Sequence, residues 1–124
     1  MKLEILTGEC TIHRFSQNEE IPPSILKIPF FSVTRTEEEL SVLCDSRIQI
    51  PSQKADSGWA CIKILGPLDF AMTGVLAGIS GILAEAQISI FAISTYDTDY
   101  ILVKKESLSA ARKSLSKNGY VFEN

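Results

Sequence analysis

Between residues 66 and 75 a short glycine-bearing loop runs directly into an apolar helical pattern, and that junction carries the best chemistry in the chain. The free backbone N–H groups at a helix start, with the positive end of the helix dipole, suit a carboxylate. Gly74 has no side chain to hold a bound molecule away from the backbone. Asp69 in the loop and Asp99 further on are acceptors for an ammonium group or a cationic side chain. Tyr96 adds a ring face and a hydroxyl. These groups would recognise the carboxylate, the ammonium and the side chain of a small zwitterion. Each also has a plainer reading. Gly74 and Gly78 equally suit close packing of a helix against a neighbour. Asp97 and Asp99 suit a turn bonded to its own backbone, Tyr96 suits hairpin packing, and Asp69 suits loop shaping. Thr73 reads first as the helix N-cap.

Other chemistries find less support. The one histidine, His13, falls on an expected surface-facing strand position. Cys10, Cys44 and Cys61 are odd in number and lack metal-ligand spacing, so free thiols are expected, with no metal site. Ser80 stands in Gly78-Ile79-Ser80-Gly81, which is not the nucleophile pattern Gly-x-Ser-x-Gly. No phosphate or dinucleotide loop is present, so no cofactor is expected. An enzyme should show a converging acid, base or nucleophile set, and none is visible. The formal net charge of -3 argues against nucleic acid, which needs a basic face, and against an anionic membrane surface. Lys63, Asp69 and Glu85 interrupt the longest apolar region, so no membrane span is expected. The N-terminus lacks a signal-peptide pattern, which points to a cytoplasmic location.

The elements that would position these groups are clearest in the second half. Residues 59–65 read as a strand ended by Gly66-Pro67. Val75, Leu76, Ile79, Ile82, Leu83 and Ala86 then recur at helical spacing. The opposite side is small and uncharged until Glu85, so this helix should be covered on more than one side. Residues 88–93 and 100–103 read as strands around the polar stretch Ser94–Asp99. Residues 106–117 read as an amphipathic helix, and 120–122 as a last strand. The order β-α-β-β-α-β is the split βαβ arrangement, an α+β fold with two helices on one face of an antiparallel sheet. The other face is left for pairing with a second module.

The first half is irregular. Residues 3–6 and 10–15 read as a hairpin around Thr7-Gly8, 16–24 as a polar loop and 30–35 as a strand. Thr36 and Glu39 form a capping-box pattern that would open a short helix through Leu40, Val42 and Leu43. Residues 51–58 read as a linker. The expected division is 1–56, a rearranged or incomplete half lacking a full first helix, and 57–124.

Four stretches belong together: Gly66-Pro67-Leu68-Asp69-Phe70, Thr73-Gly74-Val75-Leu76-Ala77, Ile88-Ser89-Ile90-Phe91 and Ser94 through Val103. They resemble a bacterial family of small tandem ACT-domain proteins, itself similar to the ACT modules of the animal arginine sensor CASTOR. The resemblance is strong over 57–122 and fainter over 1–50. It implies two ACT-like halves of ferredoxin-like form and a regulatory role in amino-acid binding. It also implies a homodimer with the ligand at an interface between ACT modules. By similarity, the site would use Asp69, Phe70, Ala71, Met72, Thr73, Gly74 and Val75 with Ser94, Thr95, Tyr96 and Asp99. The sensor carries a glycine where Asp69 aligns, and a carboxylate there changes both space and charge. The alternative from a different class is a protein-interaction module without a ligand.

Overall fold

The computed structural model describes residues 1–66 and 73–124, and these fall into two compact units. One comprises Met1–Thr7 with Trp59–Asn124, the other Gly8–Gly58. The strand β5 (Lys54–Ile64) begins in the second and ends in the first.

The larger unit holds β1 (Lys2–Ile5), the Trp59–Ile64 part of β5, α1 (Val75–Glu85), β6 (Ile90–Ser94), β7 (Asp99–Lys104), α2 (Leu108–Lys117) and β8 (Val121–Phe122). β6 pairs antiparallel with β7, β7 with β5, and β5 with β1. β1 then pairs in parallel with β8. From β5 onward the chain follows the expected β-α-β-β-α-β order, with β1 inserted between β5 and β8. Alternation along the strands turns Leu3, Ile62, Ile64, Ile101 and Val103 towards Ile79 and Leu83 of α1 and Ala111 and Leu115 of α2. That layer is the core. The expected hairpin of β1 with the next strand does not form. Leu3 gains full burial only beside β5, where Leu3 stands opposite Ile64 and Leu6 N–H donates to the Cys61 carbonyl (2.9 Å).

α1 starts one residue later than a Thr73 cap would place it. Its N-cap is Gly74, in the left-handed region at φ 78, and Gly78 N–H donates to the Gly74 carbonyl (2.8 Å). A Cβ at Gly74 would meet nothing within 4 Å, so glycine serves backbone conformation there. At Gly78 a Cβ would lie 3.1 Å from the Tyr120 hydroxyl, so that position serves close packing. Only Ile79 and Leu83 of α1 are buried, and Ala77, Gly81 and Ala84 are exposed within the chain.

The smaller unit contains β2 (Cys10–Phe15), β3 (Phe31–Arg35), β4 (Leu40–Asp45) and the start of β5. β4 lies between β2 and β3, antiparallel to both. A single 3-10 turn, Pro23–Lys27, brings Ile25 onto Phe15, Leu40, Val42 and Cys44. The expected helix after Thr36 is instead a turn and a strand. Thr36 Oγ1 accepts from the N–H groups of Glu38 and Glu39 (3.1 Å each), and Thr36 N–H donates to the Glu39 carbonyl (2.9 Å). The local hydrogen bonds of a capping box and of this turn are alike. The burial of Leu40, Val42 and Cys44 on one face of a strand held between two others decides the outcome. The expected linker is also partly strand, since β5 begins at Lys54. His13 is buried (6% exposed), sharing the inward face of β2 with Thr11 and Phe15.

Candidate functional site

β5 ends where β6 and β7 turn over, and this corner forms a cleft of about 410 Å³. Its lining is Lys63, Leu65, Gly66, Thr95, Asp97, Thr98 and Tyr100. The turn is held by its two threonines. Thr95 N–H and Oγ1 both donate to the Thr98 carbonyl (2.8 and 3.0 Å), and Thr98 N–H donates back to Thr95 Oγ1 (3.2 Å). The buried Thr98 hydroxyl donates to the Ile64 carbonyl, which fastens the turn to the end of β5. Lys63 stands opposite Tyr100 in the β5–β7 register, with Nζ 6.0 Å from the ring centroid. Ile62 and Ile64 point to the helices, so Lys63 and Tyr100 stand on the other sheet face.

Of the residues expected at a site, Thr95 lines this cleft. Ser94 and Asp99 form the last pair of the β6–β7 ladder just behind the turn. Asp99 shares the strand face of Ile101 and Val103, away from Lys63. Tyr96 is 80% exposed at the turn. Thr73 and Gly74 are exposed, and Val75 borders a smaller cleft of about 250 Å³ with Met1, Asn118, Gly119 and Tyr120. Asp69, Phe70, Ala71 and Met72 lie outside the described residues. Lys63, Leu65, Gly66, Thr98 and Tyr100 are not among the residues expected at the site from the sequence. The available signal was Lys63 itself, the one charge in the Trp59–Ile64 part of β5.

Ionisation is shifted at several groups of the smaller unit. Burial, with Asp45 and then Cys44 adding to it, pushes the Cys10 thiol up to about 11. Burial and Asp45 push Cys44 up as well. Burial pushes His13 down. Hydrogen bonds from Arg47 hold Asp45 below its ordinary range. Raised thiols are poor nucleophiles at neutral pH. Among the described residues no three His, Cys, Asp or Glu side chains group to hold a metal ion. No described helix is long and apolar enough to cross a membrane.

Residues 54–117 match the family model described as the ACT domain. The chain belongs to the ACT-domain family. ACT domains are typically regulatory modules that bind small molecules. Residues 8–53 match a separate model of an N-terminal domain. A solved structure of an Agrobacterium tumefaciens protein is 37% identical, with a TM-score of 0.88 over 98% of this chain and 90% of that one. Aspartokinase α and β subunits share the fold at 16% identity and a TM-score of 0.65, over 94% of this chain and 96% of that one. Human CASTOR3P is 33% identical over 70% of this ACT protein. The mouse protein named cytosolic arginine sensor for mTORC1 subunit 1 is 36% identical over 69% of it. This chain spans 61% of the first of these and 28% of the second.

Proposed function

We propose that this ACT protein is a cytoplasmic amino-acid sensor rather than an enzyme, acting as a homodimer with the ligand at an interface between ACT modules. Residues 57–124 form the ligand-binding domain and 1–56 a rearranged ACT-like half. The expected ligand contacts are Asp69 to Val75 together with Ser94, Thr95, Tyr96 and Asp99. The observation that carries this reading is the polar cleft at the end of β5. It lies within the part of the chain that matches the ACT domain, and Thr95 is in its wall. Its lining includes Gly66, three residues before Asp69 in the sequence. Names of relatives that sense arginine support the ligand class.

A thermal-shift screen of the whole chain against the twenty amino acids tests it. A ligand that prefers the folded state raises the melting temperature. Stabilisation by an amino acid, lost in a folded Asp99→Ala variant, is expected. No stabilisation by any of the twenty would overturn the amino-acid reading and favour a protein-interaction module.

A further inference from the structure

Lys63 is a half-buried residue that lines the cleft, and among the described residues it makes no ion pair. Its natural partner would be Glu4, which stands directly opposite on β1 and on the same sheet face. No ion pair joins them, and Lys63 instead reaches the Tyr100 ring. A cation near a ring face is held in position instead of sweeping through solvent. The rest of the corner is already satisfied internally. The Thr95 and Thr98 hydroxyls donate to carbonyls of their own turn and of Ile64. The ionic groups left in the lining are Lys63 and, at the exposed turn, Asp97. A lysine that lines a cleft and forms no ion pair there can receive an anionic guest.

We propose that Lys63 is the specificity-determining residue that binds a ligand's carboxylate, received in this cleft on the sheet face opposite α1 and α2. Asp97 stands in the same lining as the acceptor for the ligand's positive group. This assignment rests on the amino-acid reading only for the identity of the guest. The cleft itself takes a small carboxylate.

Two experiments on the full chain separate these claims. In the first, acetate is titrated into wild type, Lys63→Met and Lys63→Arg, and the amide signals of Gly66, Thr95 and Thr98 are followed by proton–nitrogen NMR. Saturable shifts are expected in wild type and in Lys63→Arg. In Lys63→Met, which keeps the apolar stem, acetate should bind roughly tenfold more weakly or not at all. Absence of saturation in wild type, or unchanged affinity in the methionine variant, overturns the assignment. In the second, the twenty amino acids and their α-amides are compared by thermal shift on the same three proteins. Saturation by acetate with no amino-acid binding keeps Lys63 and removes the amino-acid reading. An amino acid that binds wild type and Lys63→Met equally keeps that reading and removes Lys63.

Discussion

His13 sits on the core face of β2 with Nδ1 2.8 Å from Ser52 Oγ, and its Nε2 is buried with no hydrogen-bond partner among the described residues. Protonation would put a charge on that unpartnered side, and burial therefore lowers the His13 pKa in the folded chain. The unfolded chain binds the proton more tightly, so folding stability is complete above the ordinary value of 6.5 and falls as pH drops towards the lower folded value. Denaturant melts between pH 7 and 5 should show this loss, and His13→Asn should flatten the slope over that window. Asp45 acts in a lower window, below the ordinary carboxylate value of 3.8, because Arg47 depresses it. The thiols give a second check at this scale. Cys10, raised to about 11, should react slowly with iodoacetamide at neutral pH in the folded chain and rapidly in denaturant. Sequence alone placed His13 on the surface. A lone histidine in an alternating strand gives no sign of which face will be covered.

At the scale of elements, the helices and strands of the second half were legible from local signals. The apolar spacing from Val75 to Ala86 gave α1, and the polar stretch Ser94–Asp99 gave the β6–β7 turn. The first half was harder, because one of its pairings is non-local and one of its local signals is shared by two structures. β1 pairs in parallel with β8, at the far end of the chain, and no short-range turn announces such a pairing. Thr36 and Glu39 looked like a helix start because a tight turn uses the same side-chain-to-backbone bonds. Lys63 was read only as a break in an apolar run, although its alternation with Ile62 and Ile64 already put it on the opposite face. Two element-level outcomes follow from the contacts. Thr98→Val removes the bond to the Ile64 carbonyl and should cost about 1 kcal/mol in chemical denaturation, with weaker binding in the cleft. Gly78→Leu should push Tyr120 from α1 and lower the melting temperature. Tyr120→Phe in that background should restore part of the loss, because the hydroxyl is the atom in the way.

At the scale of the whole molecule, α1 presents Ala77, Gly81 and Ala84 to the surface without a charge among them. A helix that is small and uncharged on its outer side is suited to being covered. The homodimer proposed above would cover it. Gly81→Glu should then shift the mass in solution from dimer to monomer, as read by light scattering, while leaving the circular dichroism of the chain unchanged. A dimer that persists in the variant would place the interface elsewhere. Sensing further requires that the ligand favour one of two states of the assembly, so the same measurement with and without a bound amino acid links the cleft to an output. The central claim, that this ACT protein binds a free amino acid through the corner at the end of β5, is tested most directly by calorimetric titration of the full chain with each of the twenty. The expected result is saturable heat for one amino acid or a narrow group, weakened roughly tenfold or abolished in Lys63→Met. Absence of heat for all twenty in the folded wild-type chain would contradict it.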